Sequence, residues 1–202
     1  MFDKFRKKRK DATSSSLPSE PLEKMAGEMG FRAVVVSGEV FRSLNSGDFG
    51  EEVFTNAILV SHFLMMFLGS FCQQNCPKLC KTDYFNRMLE LLAARFALHY
   101  VEIVPRGLGY DWAYQTYLLD FKSKIDIYEQ YDDLSPASFL SLADSLPTEG
   151  SVLSAIGGAM LQAYGADDRE KGWIVLNQEL GKALHQLDLP GQAMMLEQNL
   201  QA

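Results

Sequence analysis

Three cysteines, Cys72, Cys76 and Cys80, recur as C-x3-C-x3-C and are the strongest candidate for chemistry in this sequence of 202 residues. On a continuous helix each step of four residues rises about 6 Å. That separation is too long for an unstrained disulfide but suits thiolate ligation of zinc or of an iron–sulfur cluster. A fourth ligand would have to be His62 or His99, and neither stands at a diagnostic spacing. Pro77 removes a helix hydrogen bond and should end the helix near Asn75, which converts the stripe into a helix end followed by a turn. The competing expectation is that the cysteines are small buried hydrophobes with no ligand.

Other catalytic signatures are missing. The sequence has no G-x-x-x-x-G-K-[ST], H-E-x-x-H, G-x-S-x-G or EF-hand loop. Gly107-Leu108-Gly109 opens like a dinucleotide-binding loop, but Trp112 fills the last position, where a bulky side chain blocks close approach to a pyrophosphate. Asp167-Asp168 resembles the aspartate pair of all-helical prenyl-chain enzymes, yet Lys171 stands where a third acid belongs. Acids in a first helical turn favour the positive helix end, which is the simpler reading of that pair. His62 is expected to bond between helices, and His185 to be exposed. The run from His99 to Glu102 reverses the E-x-x-H order of di-iron bundles. General acid–base catalysis is left without an evident agent.

Two features suit binding instead. Tyr110, Trp112, Tyr114, Tyr117, Phe121, Tyr128 and Tyr131 crowd residues 110–131, and steps of four, three, four and seven put most of them on one helical face. Such a face is either core or a partner groove, and aromatic residues dominate protein interfaces. The candidate partner-binding set is Tyr110, Trp112, Tyr114, Tyr117 and Phe121. At the N-terminus, Phe2 and Phe5 accompany Arg6, Lys7, Lys8, Arg9 and Lys10. This composition suits an anionic membrane surface, with each basic residue contributing about 1 kcal/mol; a flexible solubilising end is the alternative.

Charge bounds the partners. Residues 1–11 carry +4, so the rest of the chain carries −11 of the total of −7. An acidic body repels phosphate backbones, and nucleic acid is not expected as a main partner. With 47% apolar and 22% charged residues, the composition is that of an ordinary globular protein. Behind the basic start, residues 11–20 are polar where a signal peptide would be apolar, and three cysteines do not make a disulfide framework. A cytoplasmic location, peripheral to a membrane where the tail engages one, is the expectation.

The elements that must position these residues read as helices. Residues 1–18 are a basic, serine-rich flexible tail, and residues 19–202 a single helical domain. Leu22, Met25, Ala26 and Met29 keep a helical stripe that Gly30 should end. Residues 31–44 fit a second helix through Ala33, Val36, Val40 and Leu44, or alternatively a hairpin turning at Ser37-Gly38. Asp48 and Glu51 form a capping box. Residues 53–77 hold no Asp, Glu, Lys or Arg, long enough to span a bilayer. Thr55, His62, Gly69 and Gln73 share one face of it, however, which favours a buried central helix over a span facing lipid. Further helices follow from Thr82, from Tyr110, from Ser135-Pro136, through Gly157-Gly158-Ala159 and over residues 167–187; Pro190-Gly191 should separate the last one. The expected fold is all-α, a compact bundle of seven to nine helices, or α+β if residues 31–44 form the hairpin. The expected role is a non-catalytic interaction module, an adaptor or small subunit of a larger cytoplasmic or membrane-associated assembly, with a cysteine-ligated metal or redox protein as the alternative.

Overall fold

The computed structural model describes residues 19–44, 51–104, 106–128, 157–159, 162 and 169–200. Every regular element among them is helical: α1 (Ser19–Leu44), α2 (Glu51–Asn75), a 3-10 turn (Leu79–Lys81), α3 (Tyr84–Ile103), α4 (Tyr110–Tyr128), α5 (Arg169–Leu187) and α6 (Leu189–Asn199). The protein is all-α. The capping box at Asp48, the Ser135-Pro136 helix start, Asp167-Asp168 and the tail with Phe2, Phe5 and Arg6 to Lys10 lie outside the described residues.

The stripe that begins at Leu22 does not stop at Gly30. It runs on through Ala33, Val36 and Val40 in one helix of 26 residues, and all of these side chains are buried. Residues 31–44 therefore form neither a hairpin nor a separate helix. Strand propensity at the valines is weaker than the gain from burying a continuous apolar face, because α1 lies against α2, α3, α5 and α6 at once. Ser37, read as half of a turn, donates its buried hydroxyl to the Val53 carbonyl at 2.7 Å and so fixes α1 to the first turn of α2.

α2 ends at Asn75, as Pro77 requires. The segment Val53–Asn75 is long and apolar enough to cross a membrane, and 94% of its most apolar stretch is buried within the protein. Its supposed polar face is not a solvent face: Thr55 is exposed, but His62 and Gly69 are buried.

Thr82 Oγ1 accepts the Tyr84 N–H at the start of α3, which stops short of Pro105. The turn into α4 needs two glycines. A Cβ on Gly107 would lie 2.5 Å from the Tyr100 hydroxyl, and Gly109 holds φ at +86°. At the other end of the chain, Pro190-Gly191 does not separate two helices but opens α6. Proline's fixed φ suits a first helical turn, and the break falls at Asp188, whose backbone is left-handed and whose carboxylate accepts the Gly191 N–H.

Candidate interaction surface

Two stripes divide the aromatic helix α4. Ala113, Tyr117, Phe121 and Ile125, four residues apart, face the core. Tyr117 stacks on Phe96 at 5.1 Å, and its hydroxyl shares a 2.8 Å hydrogen bond with Ser61. Phe121 lies edge-on to His62 at 4.9 Å. The spacing that joined Tyr117 and Phe121 to a partner face is real, but both are 0–1% exposed and belong to the interior. Tyr131 and the side chain of Tyr128 lie outside the described residues.

The outer stripe is different. Tyr110 and Trp112 stay 37% and 38% exposed, and Tyr114 is half-buried. The Tyr110 and Tyr114 rings stack at 6.1 Å with planes 15° apart, while Trp112 leans on Tyr100 at 5.3 Å. Tyr110 and Tyr114, with Asp111 and Gln115, form one wall of an open groove of about 480 Å³, which Trp112 does not line. Arg87, Glu90, Leu91 and Ala94 of α3 form the other. Burial first, then the neighbouring Glu90 carboxylate and Tyr110, push the Tyr114 phenol above its ordinary value, so its hydroxyl stays protonated and can donate. The contribution of α3 was not anticipated from sequence. Its signal was the 87, 91, 94 spacing beside the core stripe of Leu89, Leu92, Ala93 and Phe96.

Against the core stripe of α4 sits His62, fully buried beside Tyr117 and Phe121. Burial, with a smaller contribution from the Lys124 charge, pushes its pKa down to about 3. The imidazole is therefore neutral at ordinary pH, with Asp120 Oδ2 3.8 Å from Nδ1. With no solvent access it has no route to a substrate proton.

α2 stops at Asn75, so the cysteines lie on a helix end and the turn after it, linked by backbone hydrogen bonds of helical spacing. Cys76 N–H bonds to the Cys72 carbonyl at 2.8 Å, and Cys80 N–H to that of Cys76 at 3.0 Å. Cys72 and Cys76 are buried, Cys80 is half-buried, and no disulfide joins them. Burial raises the thiol of Cys72 well above its ordinary value, and raises Cys76 as well. His62 is held among the aromatic rings, and His99 is 3.5 Å from Glu102 on the surface. No group of three or more His, Cys, Asp or Glu side chains among the described residues is arranged to hold a metal ion.

Glu197, which nothing in the sequence singled out, governs this corner. It is 5% exposed, and its two oxygens accept the N–H groups of Lys78 and Leu79 at 3.0 and 2.7 Å, satisfying the turn after Pro77 from a helix more than a hundred residues later. Comparison with protein-family models, with curated proteins and with solved structures finds no match to the chain.

Proposed function

We propose that this chain is a non-catalytic helical interaction module, an adaptor or small subunit of a larger cytoplasmic or membrane-associated assembly, built as a compact bundle of seven to nine helices around the helix at residues 53–72. Its docking surface is the groove between α3 and α4, and the occupant is a basic amphipathic helical segment of another protein. One observation carries this reading: the stacked, partly exposed pair Tyr110 and Tyr114 stands beside two carboxylates, Glu90 and Asp111, which outnumber the one cation among the described residues of the groove, Arg87, on a body of net charge −11. Rigid aromatic surface next to acidic groups complements apolar side chains flanked by Lys or Arg.

The test compares proteins retained by the native chain with those retained by Tyr110→Ala and Tyr114→Ala variants whose circular dichroism is unchanged. A partner lost with these variants, kept by Ile174→Ala on α5, and released by raised salt supports the groove. Equal retention by all three variants contradicts it.

The basic segment with Phe2, Phe5, Arg6, Lys7, Lys8, Arg9 and Lys10 is assigned a separate, peripheral contact with anionic membrane. Flotation of the full chain with vesicles containing phosphatidylserine, abolished by removal of residues 1–11, is the expected outcome. Equal flotation without those residues contradicts the assignment.

A further inference from the structure

α2 and α6 meet beside the turn that follows Asn75, and sulfur atoms gather there. The Cys76 thiol donates to the Met194 thioether with the two sulfurs 3.9 Å apart. Cys72 lies one turn before Cys76, whose N–H bonds to the Cys72 carbonyl at 2.8 Å, and its side chain is fully buried. Tyr84, 1% exposed, lies against Cys72 on the inner side. At the outer end Met194 is 37% exposed, so the row of sulfurs runs from solvent into the interior. Glu197, three residues after Met194 on α6, fixes the spacing between the two helices through its bonds to Lys78 and Leu79, and both its oxygens are engaged in doing so.

We propose that Cys72, Cys76 and Met194 form a binding site for a soft monovalent cation, with Cu(I) the ion of choice in a reducing compartment. Metal–sulfur bonds of roughly 2.3 Å at an angle of about 120° put two donor sulfurs about 4.0 Å apart. The Cys76 to Met194 separation already matches that distance. Thiolate and thioether donors together select Cu(I). Zinc prefers four ligands of the Cys, His or carboxylate kind, and the described residues do not assemble such a set. Binding replaces two S–H bonds by two metal–thiolate bonds and adds one thioether bond; two protons leave to solvent, and no redox change occurs. The exposed thioether gives the ion its access route, passing it to Cys76 and then between the two thiols. Cys80, a turn further on, is not required.

Anaerobic titration of Cu(I) into the reduced full chain, in competition with a chromophoric Cu(I) chelator such as bicinchoninate, tests the site. The expected result is one ion retained per chain, ultraviolet thiolate-to-copper charge-transfer absorption, and a rise in Tm on loading. Met194→Leu, a change at a partly exposed position that leaves both thiols in place, should weaken retention about tenfold or more. Cys76→Ser should abolish it, and Cys80→Ser should leave it unchanged. Retention that survives Met194→Leu but is lost with Cys80→Ser would assign the ion to the thiols alone and overturn the proposal. So would stoichiometric Zn(II) binding in place of Cu(I), or the absence of any copper retained against the chelator.

Discussion

His62 shows at the scale of a residue why a side chain's chemistry is decided by its surroundings. From the sequence it is one of three histidines, a candidate fourth ligand or an interhelical hydrogen-bonding residue; in the fold it is a neutral ring packed among aromatic rings. Its folded pKa of about 3 lies below the unfolded value of about 6.5, so between these values the unfolded chain binds a proton that the folded chain does not. Stability should therefore fall as pH drops from about 6.5 toward 3, by up to about 1.4 kcal/mol per pH unit from this residue. Urea unfolding at pH 7 and pH 4.5, compared between the native chain and His62→Gln, isolates that contribution. A smaller loss of stability in the variant is expected, and an identical loss in both would refute it. The burial of His62 depends on Tyr117 and Phe121, more than fifty residues away, and no local pattern encodes that neighbourhood.

Among the elements, periodicity made the helices legible and local punctuation misled. Gly30 and Pro190-Gly191 were read as breaks by their intrinsic preferences, yet both lie inside helices. In α1 the apolar stripe outweighs the roughly 1 kcal/mol cost of a helical glycine. In α6 proline occupies the one turn where its missing N–H costs nothing. The stripe of α4 was identified with the right spacing, but which of its members face inward depends on where α2 and α3 lie; among the described aromatic side chains Tyr117 and Phe121 are buried and Tyr110, Trp112 and Tyr114 reach the surface. The same logic gives a test of α1. A Cβ on Gly30 would meet Arg95 Cβ at 3.6 Å and Leu92 Cδ2 at 4.0 Å, ordinary contacts. Gly30→Ala should thus stabilise the protein by about 0.5–1 kcal/mol in chemical denaturation, whereas Gly109→Ala, at φ +86°, should cost about 1–2 kcal/mol. Destabilisation by Gly30→Ala would mean that α1 and α3 are closer than described.

At the scale of the whole molecule, the proposed docking role rests on the acidic charge balance of residues 12–202 and, among the described residues, on the buried apolar helix α2 and the partly exposed aromatic groove between α3 and α4. The charge asymmetry and the all-α class were legible from composition and pattern. The groove was not, because half of it comes from Arg87, Glu90 and Leu91, brought beside Tyr110 and Tyr114 by the α3–α4 turn. The pairing of Cys76 with Met194 was equally hidden, since their separation in the chain is 118 residues. Photo-crosslinking in intact cells addresses the groove most directly, with a crosslinking residue placed at position 110 and, as a control, at position 174 on α5. Position 110 should link to a basic, amphipathic helical peptide of another protein, identified by mass spectrometry, and position 174 should not. Crosslinks from both positions to the same peptides, or from position 110 only to residues 1–10 of the chain itself, would contradict a docking role for the α3–α4 groove.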